Sequence, residues 1–287
     1  MPSVESYNNL VLNSSGDNEQ FLFFTDPHLA NSTNGVVDKA YDDINLLNAI
    51  YNASSASFMI DGGNWLNSGD TLDSAVSKLT FIDGAMNKKF KHYYPVNGDH
   101  DTNYFGEERI DNTHLIQLRR QYRKEKHLYY HFSGTNSSWY VFDTGIENEA
   151  VGDYQNEQLL WFANSLLNER SQHIVLVAHI LNYSASAIQP LVESVLAIAA
   201  GYNAKEVVTV NERNFDYVSA AGKVSFLIAG HSHKDWNGVI NTIPCILTTD
   251  AQKENTLTFD LCLADWENKK LYTKRVGSGS DRIITIL

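Results

Sequence analysis

The sequence predicts an α/β fold with mixed β-sheets and helices outside them. Three observations carry the prediction. Short apolar runs alternate with amphipathic stretches through most of the chain. From Gly238 onward the apolar runs are short and separated by turn residues, which suggests an antiparallel end. Five strand-like runs are also followed at once by polar segments containing Asp, Asn or His, and ligands of α/β folds sit at the carboxyl ends of strands.

The elements follow in chain order. Residues 1–20 are polar and read as a leader or one edge strand. Phe21 to Phe24 is a strand. Val36 to Tyr51 sets Val37, Tyr41, Ile44, Leu47 and Ile50 near helical spacing and reads as an amphipathic helix. Ser57 to Ile60 is a strand, Leu72 to Met86 a helix and Tyr93 to Val96 a strand. Trp139 to Asp143 is a further strand, and Gln155 to Leu167 a helix. Ile174 to Ala178 is a buried-type strand, Ile188 to Ala200 a helix and Val224 to Ala229 a strand. With no internal repeat and no long linker, residues 1–287 read as one domain.

Composition narrows the function. The chain carries 22 basic and 34 acidic side chains, a formal charge of −12, which argues against binding a long nucleic acid. A small phosphoester remains open as substrate if metal cations supply positive charge. Two cysteines, Cys245 and Cys262, cannot form a disulfide framework or a four-cysteine zinc site. No basic, apolar leader and no membrane-length run of about 18–20 apolar residues occurs. The expectation is a soluble cytoplasmic protein with no membrane partner.

Each strand end supplies donors. Phe21–Phe24 runs into Thr25-Asp26-Pro27-His28. The next strand runs into Asp61-Gly62-Gly63-Asn64-Trp65. Tyr93–Val96 is followed by Asn97-Gly98-Asp99-His100-Asp101. The last two lead to His179 and to Gly230-His231-Ser232-His233. Each motif alone is a weak signal. Five in one chain, all at strand ends, are not. Mixed imidazole and carboxylate ligands suit Mn, Fe, Zn, Co or Ni better than Ca or Mg. Two such ions about 3.5–4 Å apart can clamp a phosphate and generate hydroxide.

This ordered set resembles the calcineurin-like metallophosphoesterases, whose motifs run Asp-x-His, Gly-Asp, Gly-Asn-His-Asp, His and Gly-His-x-His. The segment 151–167, with Gln158, Trp161 and Leu167, is similar to the helix that often precedes the fourth motif. Residues 275–282 are similar to the end of some bacterial members. The resemblance implies a four-layer α/β/β/α sandwich of two mixed sheets, with two divalent metal ions on loops at the strand C-terminal ends.

It also implies roles. One metal takes Asp26, His28 and His233, and the other takes His179 and His231. The family's bridging aspartate falls on Asn64, and its asparagine falls on Asp99, a reciprocal exchange. An amide offers one neutral oxygen, and its NH2 cannot ligate. The expectation is a weak or absent Asn64 bridge and tighter metal binding beside Asp99, or a single tightly held ion. Asp99 swinging between the metals and Asp61 as a ligand are the competing arrangements. His100 takes the role of general acid, with Asp101 on its other ring nitrogen.

The function implied is hydrolysis of a phosphomonoester or phosphodiester by metal-activated hydroxide. The alternative is a weak or inactive relative that binds a phosphorylated ligand or a protein partner, with Asn64 as the reason. Trp65, Asn103, Tyr104 and Tyr183 are candidate pocket residues against a default of packing. The basic run 119–124 reads as a solvated helix face. Segment 181–222 reads as a lid or an insertion.

Overall fold

The computed structural model describes residues 2–14, 16–28, 35–67, 69–106, 108–120, 127–145, 152–181, 190–252 and 256–287. Two six-stranded sheets lie at its centre. The first has the order β14-β13-β12-β1-β2-β3, from Arg282–Thr285, Lys270–Val276, Phe259–Asp265, Asn18–Phe24, Phe58–Asp61 and Tyr93–Pro95. The second has the order β10-β11-β9-β6-β5-β4, from Trp236–Ile240, Ile243–Leu247, Lys223–Ala229, His173–Val177, Ser137–Val141 and Tyr130–Ser133. In the first sheet β1, β2 and β3 are parallel; in the second β5, β6, β9 and β11 are. The pairings β1–β12, β12–β13 and β13–β14 in the first sheet, and β10–β11 and β4–β5 in the second, are antiparallel, so both sheets are mixed.

Alternation along β1 builds the layers, because successive strand side chains point to opposite faces. Phe21 and Phe23 join Trp139, Val175, Val177, Phe226 and Ile228 in the core between the sheets. Leu22 and Phe24 join a second core under α1 (Pro2–Leu12), α2 (Gly35–Ala53), α3 (Leu72–Lys89) and α4 (Asn112–Arg120). A third core lies between the second sheet, α5 (Gly152–Leu167) and α6 (Pro190–Ala204). The order of layers is α/β/β/α.

Two segments differ from the sequence reading. Within the expected polar leader or edge strand of residues 1–20, Pro2–Leu12 form α1 and Asn18–Gln20 open β1, an inner strand. Val4 and Tyr7, one helical turn apart, are buried, and the Tyr7 hydroxyl donates to the Cys262 carbonyl at 2.9 Å. Within 181–222, residues 182–189, including Tyr183, lie outside the described residues. The rest is α6 packed on β9 and β11, followed by a hairpin of β7 (Val207–Val210) and β8 (Arg213–Asp216). This part belongs to the helical layer. Run 119–124 falls largely outside the described residues. Both cysteines are buried and free. No described helix is long and apolar enough to cross a membrane.

Candidate metal centre

The parallel strands end at one edge, and the polar loops meet there. Backbone hydrogen bonds lock the loops together. Asp26 N–H donates to Gly63 O at 2.9 Å, and His28 N–H to Asn64 O at 3.0 Å. Five of the residues here hold left-handed backbone: Asp26 (φ 54°), His28 (39°), Asn64 (65°), His231 (66°) and His233 (51°). That conformation is costly for residues other than glycine and clusters at functional sites. Gly98 is required by close approach, since a Cβ there would collide with the Asn64 amide.

Two donor trios form. Asp26, His28 and His233 make one, and Asp99, His179 and His231 the other, each with ligand atoms within 4.8 Å of one another. In the first, His28 Nε2 and His233 Nε2 are 3.0 Å apart, and Asp26 Oδ1 is 3.4 Å and 3.5 Å from them. In the second, Asp99 Oδ1 is 3.0 Å from His179 Nε2 and 3.4 Å from His231 Nδ1. Donors about 2.1 Å from one tetrahedral ion stand about 3.4 Å apart, so the spacing and the donor chemistry fit a divalent cation in each trio. Support lies behind the donors, as metal sites require. His179 Nδ1 is 2.6 Å from Gly62 O, which leaves Nε2 to face the site. Asp26 Oδ2 accepts from Thr25 Oγ1 at 2.7 Å and His231 N–H at 2.8 Å, so Oδ1 alone points inward. Between the trios, Asp26 Oδ1 stands 3.8 Å from His179 Nε2.

Asn64 lies between the trios. Its Nδ2 donates to Asp26 Oδ1 and to Asp99 Oδ1, both at 3.0 Å, while its Oδ1 accepts from His100 N–H at 2.9 Å. The network fixes the amide orientation, because only NH2 can donate to two carboxylates and only the oxygen can accept the N–H. The amide oxygen therefore faces the His100 backbone, away from the carboxylates.

The charges respond to one another. Burial would raise Asp26 and Asp99, but the histidines beside them hold both carboxyls well below the usual range: His179, His233 and His28 for Asp26, and His179 and His231 for Asp99. Burial would lower His179, but Asp26 and Asp99 push it up to about 9. His233 is raised by its hydrogen bond to Asp26. Protons here do the work of cations. Burial pushes His100 down, against the pull of Asp99.

His100 sits beside the first trio, its ring centroid 4.7 Å from that of His28. The reading of Asp101 changes. Its carboxylate accepts from four backbone N–H groups, those of Asn64 (3.0 Å), Trp65 (2.9 Å), Leu66 (3.3 Å) and Gly98 (3.1 Å). Those bonds use its lone pairs, so it organises both loops and acts on the His100 ring through its charge. Asp61 accepts from Trp65 Nε1 and Tyr93 Oη, both at 2.5 Å, and joins neither trio. Trp65 is buried in the core against Phe24. Asn103 ties its loop to the segment before α3 through Gly69 and Asp70, and to Glu108 within its own loop.

Sequence reasoning missed three supports. Thr144 Oγ1, after β5, accepts from His179 N–H (3.1 Å) and Ile180 N–H (2.9 Å). Asp250, after β11, stands 3.9 Å from His233 Nδ1. Asp235 pairs with Arg275, and Arg275 with Asp260, anchoring the segment after His233 to the first sheet. The signal for the first two was present: β5 and β11 are also followed closely by polar residues, Asp143-Thr144 and Thr248-Thr249-Asp250.

A family model described as calcineurin-like phosphoesterase matches residues 20–235. Among solved structures, a dimetal phosphatase from Danio rerio superposes with a TM-score of 0.61 at 14% identity, covering 93% of this chain and 98% of that one. GAP50, described as the anchor in the inner membrane complex of Plasmodium, gives 0.53 at 14% identity, covering 94% and 88%. At these identities the likeness concerns the fold. No curated protein sequence matches the chain.

Proposed function

The chain belongs to the calcineurin-like phosphoesterase family of metal-dependent phosphoric ester hydrolases, and from that premise we propose that it hydrolyses a small phosphomonoester or phosphodiester with His100 as general acid. The observation that carries the reading is the pair of convergent trios with His100 beside them. Asp26, His28 and His233 would hold one divalent cation, and Asp99, His179 and His231 the other. When bound, such ions polarise the phosphoryl oxygens and lower the pKa of an attacking water. The chain's own residues do the rest. Asn64 holds the two carboxylates apart and fixes the His100 backbone. His100 protonates the departing alkoxide. Its depressed pKa suits a group that gains its proton when an anionic phosphate arrives in front of it.

Asn64 favours a second reading, a weak hydrolase that mainly binds a phosphorylated ligand, because no carboxylate stands at the bridging position. Hydrolysis of 4-nitrophenyl phosphate and its bis ester, with Mn, Zn, Co, Fe or Ni supplied in turn, separates the two. Turnover lost in His100→Ala supports the enzyme. Folded, metal-loaded protein that turns over neither ester with any of these ions leaves the binding reading.

A further inference from the structure

Beyond His100 the same loop carries Phe105. Three rings follow one another: His28 and His100 at 4.7 Å between centroids, then His100 and Phe105 at 5.4 Å. Phe105 is 65% exposed. The loop that presents it is held firmly. Asn103 is left-handed (φ 58°), and its side chain makes four hydrogen bonds to the backbone of Gly69, Asp70 and Glu108. A side chain at Gly106 would collide with the Asn103 amide. Tyr104 lies 4.3 Å below the Arg109 guanidinium and meets Phe105 edge-on at 4.9 Å. The outcome is an exposed aromatic face at a set place beside the acid.

That place has a chemical meaning. In a displacement at phosphorus the leaving oxygen departs toward the acid that protonates it. The organic part of the ester then extends past His100 toward Phe105. We propose that Phe105 is a leaving-group platform that selects phosphoesters whose alcohol carries a flat aromatic ring. The proposal rests on the phosphoesterase reading and names its substrate class: aryl or nucleoside-type esters, ahead of sugar and alkyl esters. Stacking adds to area burial and is tolerant of ring identity, since every nucleobase has a π-face.

Phenylphosphonate and methylphosphonate share a head group and differ in the ring, so they isolate the platform. Calorimetric titration of the Mn2+-loaded protein should show phenylphosphonate binding about three- to tenfold more tightly. Phe105→Ala should bring the ratio to about one, and Phe105→Trp should keep or raise it, which separates loss of the ring from loss of folding. A wild-type ratio near one, or a ratio unchanged in Phe105→Ala, overturns the platform and leaves the phosphoesterase reading standing. Failure of the loaded protein to bind either phosphonate overturns both.

Discussion

The two trios contain the same donors, one carboxylate and two imidazoles, in different surroundings. In the trio of Asp99, the His179 side chain is fully buried and His231 is 24% exposed. In the trio of Asp26 the carboxylate is buried, but the His233 side chain is 46% exposed. The buried trio is braced by Gly62 and Thr144, while His233 leans on Asp250 at longer range. Preorganised donors give up less entropy on binding a cation. The comparison teaches that the Asn64 amide, bonded to both carboxylates, stands between an inner, more buried trio and an outer, more exposed one.

The largest expected effect comes from Asp99→Asn. It leaves Asp26 as the only carboxylate for two cations, and activity should fall on the order of 10³-fold, several kcal/mol of charge stabilisation. Bound metal counted by elemental analysis should fall with it. Asn64→Asp combined with Asp99→Asn returns a carboxylate to the bridging position and should lie closer to wild type than either single change. A double variant worse than both singles would break the idea that the exchange is compensatory. His100→Ala should lower kcat by about 10²- to 10³-fold while metal content in both halves stays put. Loss of metal in that variant would place His100 in the site's structure instead.

The next effect is on stability without metal. His179 has a folded pKa of about 9 against about 6.5 unfolded. A raised pKa stabilises fully below the unfolded value and loses that contribution as pH rises through the folded one. About 3 kcal/mol should therefore be lost between pH 6.5 and 9. The carboxylates act in the opposite sense: their lowered pKa values stabilise above about 3.8, and that part goes as pH falls. With Mn2+ the trend above pH 6.5 should reverse, because the cation displaces the histidine protons. Denaturant melts at pH 6 and pH 9, with and without Mn2+, check the sign.

The smallest effects sharpen the inner and outer labels. Titration of the metal-free protein with Co2+, followed by its visible spectrum, should show two unequal steps. Equal steps would erase the distinction. Asp250→Asn should weaken only the second step, by about tenfold, as loss of an outer-shell partner does.

Much of this site was legible from residue order. Short apolar runs with abrupt polar ends, in the order of the resembling motifs, locate Asp26, His28, Asn64, Asp99, His179, His231 and His233 at strand ends, and the structure brings all seven together. The limit lay in what each side chain does with its remaining atoms. Asp101 beside His100 in sequence suggests a pair, but four backbone N–H groups from two loops compete for it, and their approach depends on the left-handed turn at Asn64. Thr144 and Asp250 also follow strand ends, but which histidine each one braces is set by tertiary neighbours, as is the place of Phe105 beside His100. Helix α1 was missed because two buried side chains, Val4 and Tyr7, suffice to dock a polar helix.

The pairing of β1 with β12 has a consequence for how the molecule is made. Asn18 lies opposite Asp265 and Phe23 opposite Asp260, so the strand that leads to Asp26 stays open along one side until residues 259–265 are available. Contacts this distant in sequence form slowly, and an unpaired strand edge rich in phenylalanine invites association with other chains. Refolding yield should therefore decline with protein concentration, and the second sheet, whose strands β4 to β11 follow one another within a shorter span, is the part able to assemble first.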